Sequence, residues 1–208
     1  LARKHAAAVC VRAGTGTNAG HSVIFAPNRV VKTRQLPLAG VLSSGLAAVG
    51  SGVAVDPEVL AREIETYGTE FAVADRVRID GRSPVILPEY RDREAADSHL
   101  AETVGSTMSG TGVAQAEFCL RRAVQAKAVP TLEPYVTDVA ALVNRACAAG
   151  ETVVVEGSQG TFLSLALSDE YPLCTSGNCT TVALADDVGL NWRHIDEVVL
   201  VVKAMPSR

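Results

Sequence analysis

No stretch of this 208-residue chain reaches the ~18 consecutive apolar residues that a membrane-crossing helix needs, and no charged, apolar and small-residue leader opens it. A cytoplasmic protein without a membrane partner is the expectation. Cysteine is sparse and forms no C-x-x-C pair: Cys10, Cys119, Cys147, Cys174 and Cys179 make an odd number, which suits a reducing compartment better than a disulfide framework. Cys174 and Cys179 lack the further pair or the nearby His that would complete a tetrahedral metal site. Strong charge of one sign is also missing. With 19 Lys and Arg against 23 Asp and Glu, the net charge of −4 speaks against a general nucleic-acid or membrane-surface binder, while leaving a local basic pocket open. There is no internal repeat, no low-complexity linker and no G-x-x-x-x-G-K-[ST] phosphate loop.

What is present fits an ordinary folded domain. A chain of this length suits one domain, or one with a small lobe, and buries roughly 70% of its unfolded surface without needing a staple. Hydrophobic content of 48% and charged content of 20% lie near the globular norm. Apolar runs predict strands at about 7–12, in the "HSVIF" and "RVVKTRQL" pair, within "SGLAAVGSGVAV", at "RVRID" and "SPVIL", in "ETVVVEG" and in the closing "IDEVVLVVKA". The "ETVVV" run reads as a strand buried on both faces. "DPEVLAREIETYG" predicts a helix with Asp56 at the N-cap, Pro57 at N1, Gly68 as the stop and Val59, Leu60 and Ile64 as its apolar face. A polar helix is expected near 91–104, another over "VAQAEFCLRRAVQA", and a third over "VTDVAALVNRACAAG" with Thr137 as N-cap and Gly150 at C′. Alternating helices and apolar strands predict an α/β layered fold around a largely parallel central sheet, with ligands beyond the carboxyl ends of the strands. "LARKHAAAVCVR" reads as a basic last helical turn entering a strand and "EVVLVVKAMPSR" as a strand at the very end, so residues 1–208 are expected to be a partial domain truncated at both ends.

Three polar, glycine-rich loops carry the candidate chemistry. In "RAGTGTNAGHSVIF", Gly14-x-Gly16-x-x-Ala19 matches the dinucleotide fingerprint, but that motif needs a helix to follow, and "HSVIF" is a strand. His21 beside Asn18 and Gly20 offers an alternative: a donor to a phosphate oxygen as charge builds on it, against an ordinary structural His at a strand start. "VGSTMSGTG" supplies the hydroxyls of Ser106, Thr107, Ser109 and Thr111 and glycine N–H groups, either for phosphate or as a surface loop. Arg121 and Arg122 follow on the expected helix, as phosphate partners or as a solvated basic face. "VEGSQG" sets Glu156 and Gln159 at the end of a strand, where an amide can read a purine edge. "YPLCTSGNCTT" adds Thr175, Ser176, Asn178, Thr180 and Thr181, for phosphate or as a capped turn.

Taken in order, N-A-G-H, G-S-T-x-S-G-T-G, E-G-S-Q-G-T, Y-P-x-C-T-S and a V-x-K-A strand resemble the adenylosuccinate synthetase family over essentially the whole chain. The resemblance implies a P-loop-NTPase-like α/β fold of the adenylosuccinate synthetase type. It further implies a GTP- and Mg²⁺-dependent ligase that joins L-aspartate to IMP through a 6-phosphoryl intermediate. By position it implies His21 as the catalytic acid, the Gly20 carbonyl as a Mg²⁺ ligand, and Asn18, Thr107, Gln159 and Thr175 as IMP contacts. Arg121 matches an arginine that reaches the IMP phosphate of a neighbouring subunit, which implies a homodimer. The family's G-D-E-G-K-G loop, with its catalytic Asp, would lie upstream of Leu1, and its aspartate and guanine segments beyond Arg208. Met108 stands where a Gly is usual. "CTSGNCT", "GSTMSGTG" and the closing "MPSR" are nearer the archaeal and phage wording. The phage branch includes 2-aminoadenylosuccinate synthases acting on dGMP, so that reaction, with GTP or ATP as donor, is an alternative. A non-catalytic nucleotide-binding fragment is another.

Overall fold

The computed structural model describes residues 2–202. In chain order the elements are β1 (Val9–Arg12), β2 (His21–Ala26), β3 (Arg29–Thr33), α1 (Leu38–Leu42), β4 (Leu46–Val49), α2 (Pro57–Tyr67), β5 (Val77–Asp80), α3 (Pro88–Ala96), α4 (Thr111–Cys119), β6 (Val136–Thr137), α5 (Val139–Ala148), β7 (Val153–Glu156) and α6 (Thr181–Asp187). Five strands form one sheet in the order β6-β5-β4-β1-β7, every pairing parallel, and β2 and β3 form a separate antiparallel hairpin. The expected parallel α/β architecture is thus the one observed.

Strand periodicity explains the two largest apolar clusters. Side chains alternate between faces, so Ala47 and Val49 of β4 enter one apolar cluster and Ala48 the other. On the first face α2 contributes Leu60 and Tyr67; on the second, α5 contributes Val139 and Val143. Strands covered on both faces read as unbroken apolar runs, which is why β1 and β4 were legible as small, apolar stretches.

Local chemistry sets the helix boundaries. Asp56 caps α2 by accepting the N–H groups of Glu58 and Val59 at 3.0 and 3.1 Å, as the sequence predicts. The buried face of α2 is Leu60, Glu63 and Tyr67, with Val59 only half-buried. A glutamate therefore sits on a face expected to be apolar. Helix α5 is capped by Asp138, which accepts from Ala141 N at 2.9 Å, rather than by Thr137; Gly150 takes the expected left-handed position with φ +76°. The polar helix is α3, ending at Ala96, with a wide turn at 99–104 after it.

Other expectations are corrected. Helix α4 stops at Cys119, where the sequence had it running to 126. Arg121 N bonds to Phe118 O and Arg122 N to Glu117 O at 2.9 and 2.8 Å, a pattern that closes a helix end, with Arg121 itself at φ 60°. "SPVIL" contributes only single bridges from Pro84 and Val85. Strand β7 lies at the sheet edge and is half-buried along its length, so it is not covered on both faces. The closing run forms no strand among the described residues: Val198–Val202 are 50–88% exposed, and Lys203 and Ala204 lie outside the described residues. Residues 2–6 form turns where the last turn of a helix was expected.

Because Leu60 is fully buried and Val59 is not, Leu60→Ala should cost about 2–4 kcal/mol, whereas Val59→Ala should cost less than about 1 kcal/mol. Urea unfolding of the two variants in the full chain measures the difference; equal losses would contradict the packing of α2.

Candidate functional site

Parallel strands β1 and β7 end side by side, and their last residues, Arg12 and Glu156, are register partners. Both side chains therefore emerge at the same height on the carboxyl edge of the sheet, where the loops that follow them begin. Arg12 is almost wholly buried. Its Nη2 donates to Ala19 O at 2.8 Å, and Nη1 lies 3.2 Å from His21 Nδ1 and 3.8 Å from Glu156 Oε1. His21 Nδ1 makes a direct contact with Glu156 Oε1. The two oxygens of Glu156 also accept the N–H groups of Leu38 and Ala39 at 2.9 and 2.8 Å, at the start of α1. Burial alone would raise the Glu156 pKa, but the His21 contact, the Ala39 N–H and the Arg12 charge outweigh it and hold the carboxyl below its ordinary value. Burial lowers that of Arg12.

A second cluster forms above the first loop. Thr15 Oγ1 donates to Asn18 Oδ1 at 3.0 Å, Asn18 Nδ2 donates to Thr175 Oγ1 at 3.0 Å, and the two threonine hydroxyls lie 3.3 Å apart. Asn18 and Thr175, far apart in the chain, thus meet directly. Gln159, on the loop after β7, lies against the same first loop at Gly14: its Oε1 is 3.6 Å from where a side chain there would begin. Gly14, at φ +97°, needs a residue without a side chain to turn the loop back toward this edge. From below, Gln115 Nε2 donates to Thr15 O and Gly52 O, both at 2.8 Å, and Asp187 Oδ2 accepts Gly14 N at 2.9 Å. Burial, only partly offset by that N–H, raises Asp187 to about 6, with Asp186 adding repulsion.

The second loop reaches the same place by another route. Its glycine N–H groups are not open to a ligand. Glu94 of α3, buried, accepts Gly110 N and Gly112 N at 2.9 Å each. The hydroxyls form a chain instead: Thr107 donates to Ser109 at 3.1 Å, and Ser109 pairs with Thr111 at 2.9 Å. Thr111 Cγ2 lies 3.0 Å from a side-chain position on Gly16. Thr107 itself is exposed at the far end of this chain and does not touch Asn18 or Thr175.

His21, Asn18, Gly20, Gln159 and Thr175 are therefore gathered at one edge of the sheet, with Thr107 at its rim. Arg121 stands apart, exposed, and among the described residues its side chain makes no hydrogen bond or ion pair. Thr180 caps α6 through Ala183 N, and Asn178 accepts Ala166 N, so these two hold turns. Gly20 is exposed, and a methyl group there would collide with the Thr33 carbonyl. No group of three His, Cys, Asp or Glu side chains able to hold a metal occurs among the described residues, Cys174 and Cys179 included. Nor is any helix among them long and apolar enough to cross a membrane. Sequence reasoning missed Arg12, which reads as the end of a buried strand. A charged residue closing an apolar run just before a polar glycine loop was the one available signal.

Comparisons with known proteins bear on this edge. The adenylosuccinate synthetase family model matches residues 1–131 and 125–208. The adenylosuccinate synthetase of Thermococcus onnurineus is 44% identical over 208 residues, all of this chain and 60% of that protein. That of Methanocaldococcus jannaschii is 38% identical over 200 residues, 96% of this chain and 57% of that protein. The chain thus spans about 60% of the length of the curated relatives it matches. Two solved structures share the fold. A fully ligated adenylosuccinate synthetase from Plasmodium falciparum has a TM-score of 0.78 at 17% identity, over 91% of this chain and 54% of that one. The cyanophage S-2L succinoaminodeoxyadenylate synthetase, bound to dGMP and to dATP as energy donor, has a TM-score of 0.73 at 27% identity, over 91% and 53%.

The raised pKa of Asp187 makes a pH prediction. In the folded chain this carboxyl keeps its proton up to about 6, while in the unfolded chain it loses it near 3.8. Between those values the folded state binds more protons, so its contribution is fully present below the lower value and is lost as pH rises to the upper one. The loss is on the order of 2–3 kcal/mol. Asp187→Asn, whose amide oxygen can still accept the Gly14 N–H, should remove that slope. Denaturant unfolding of both proteins between those pH values reads the difference, and parallel curves would refute it.

Proposed function

The chain belongs to the adenylosuccinate synthetase family, and from that we propose that it serves the ligation of L-aspartate to IMP, driven by GTP, in purine nucleotide synthesis. The observation that carries the reading is the hydrogen bond to Thr175 from Asn18, three residues before His21 on the loop whose Gly14 lies against Gln159. Three neutral hydrogen-bonding groups from three loops make a seat for a purine nucleotide, with an imidazole at its margin.

In this reaction the purine N1–H gives up its proton to a base, the 6-oxygen attacks the γ-phosphorus of GTP, the bond to the β-phosphate oxygen breaks, and GDP leaves. The aspartate amine then displaces phosphate from C6, losing a proton, and adenylosuccinate remains. Asn18, Gln159 and Thr175 bind and orient the nucleotide, and Thr107 reaches its phosphate from the rim. His21 donates to the phosphate oxygen on which charge accumulates as the diphosphate departs.

Magnesium is part of this reading, as the charge-neutralising ion on the phosphates. The exposed Gly20 supplies one backbone carbonyl, which fits a cation that takes most of its oxygens from phosphates and water. Arg121 supports the homodimer: it is exposed and holds a left-handed φ of 60° at a helix end where glycine is usual. Such a side chain is free to reach a neighbouring subunit's nucleotide. Five free cysteines suit a cytoplasmic setting.

A second reading follows from the phage synthetase at 27% identity, whose structure holds dGMP and dATP. The test offers the full-length protein aspartate and Mg²⁺ with GTP or ATP, and IMP or dGMP, while succinyl-purine formation is followed. Product from IMP, reduced on the order of 10²–10⁴-fold by His21→Ala, is expected. Product from dGMP alone would move the protein to the second reaction, and none from either would leave a nucleotide-binding piece. Arg121→Gly should gain roughly 1 kcal/mol of stability by relieving the left-handed backbone. The same change should raise the KM for IMP about 10-fold or more by removing a charged phosphate contact. Unchanged KM would remove Arg121 from the site.

A further inference from the structure

We propose that Glu156 is a positioning residue that holds His21 in a single tautomer, with Nδ1–H turned into the protein and Nε2 presented outward. The proposal rests on His21 acting as the acid of the reaction above: with Nδ1–H held by Glu156, the imidazolium, protonated on Nε2 as well, is the form that donates to the phosphate oxygen.

The geometry leaves the ring little choice. An ionised carboxylate can only accept hydrogen bonds, and Glu156 is engaged by donors throughout: Leu38 N–H at Oε1 and Ala39 N–H at Oε2. The atom of His21 in contact with Oε1 is Nδ1. With the proton on Nε2 instead, the Nδ1 lone pair would face the carboxylate lone pairs, with no donor between them. The proton therefore belongs on Nδ1.

Arg12 also approaches Nδ1, at 3.2 Å, and a guanidinium is a donor only. With a proton on Nδ1, Nη1 keeps the charge of Glu156 Oε1 at 3.8 Å and Nη2 still donates to Ala19 O at 2.8 Å, while the buried Nε lacks a partner among the described residues in either tautomer. Arg12 thus ties the backbone two residues before His21, while Glu156 ties the ring. One fixes where the imidazole starts and the other which way it faces.

The anchoring is stiff. Glu156 and Arg12 are register partners on neighbouring strands, and the carboxylate is pinned by the first turn of α1. The side chains of Glu156 and His21 are 13% and 23% exposed, so the ring retains one solvent-facing side. A histidine oriented by an acceptor on one nitrogen acts through the other. Neither sequence patterning nor the family's expected contacts brought Glu156 to this role.

Long-range ¹H–¹⁵N NMR of the histidine rings in the full-length protein tests it directly. There are four histidines in this chain, and loss of one signal set in His21→Gln assigns the relevant ring. In the neutral ring the proton is expected on Nδ1; a proton on Nε2 would overturn the proposal without any variant of Glu156. In Glu156→Gln the ring should shift toward a mixture of tautomers. Its kcat should fall on the order of 10²-fold, with KM for IMP unchanged within about 3-fold. An unaltered ring pattern or kcat in a folded Glu156→Gln protein would also overturn it. If Glu156→Gln does not fold, the wild-type spectrum still decides. If no substrate pair gives product, the ligase reading fails while the tautomer measurement stands on its own.

Discussion

Main-chain N–H groups left over where strands and helices break into loops must find acceptors, and at this edge carboxylates from other elements supply them. Glu156 takes the start of α1, Glu94 takes the second glycine loop, and Asp187 takes the first. Glu63 completes the set from α2 by receiving Arg34, Gln35 and Leu36 N–H at 2.5, 3.2 and 2.8 Å. Burial raises the Glu63 pKa against the pull of those N–H groups and of Arg12. Each acid costs desolvation and is held by the bonds it makes. The loops are consequently tied to the rigid parts of the fold through these bonds.

That arrangement also divides the labour of the site. Hydrogen-bonding groups that are already satisfied internally, such as Gly110 N and Gly112 N, hold shape. Thr15, Asn18 and Thr175 instead bond through their side chains to one another, a cluster of neutral groups able to exchange partners. The imidazole stands between the two kinds, fastened by one nitrogen.

Much of this was legible in the sequence, for local reasons. Burial on both faces writes strands β1 and β4 as apolar runs. Asp-Pro writes the start of α2, and glycine writes the loops. What was illegible depends on partners distant in the chain. Glu63 and Glu94 look like solvated helix residues, because nothing in their own helices reveals the N–H groups that meet them. The end of α4 carries no glycine or proline at Leu120 or Arg121, so the pattern appeared to continue to 126. Asp138 and Thr137 are both good caps, and only the phase of the helix chooses between them. "EVVLVV" has a strand's composition, but a strand needs a neighbour, and composition does not supply one. Asn18 and Thr175, which the family resemblance named together, bond to each other, whereas the link from Arg12 to Glu156 is a matter of register.

The outer edge of β7 has no paired strand among the described residues, and the bare valines and leucine of 198–202 belong to the same chain. An open row of backbone donors and acceptors together with a flat, uncharged, β-branched run is the pairing chemistry of intermolecular β-sheets. Wherever both are left uncovered, as during synthesis or after proteolysis, association of copies edge to edge competes with folding. What shields that edge and that run then bears on the solubility of this polypeptide alongside the stability of its core.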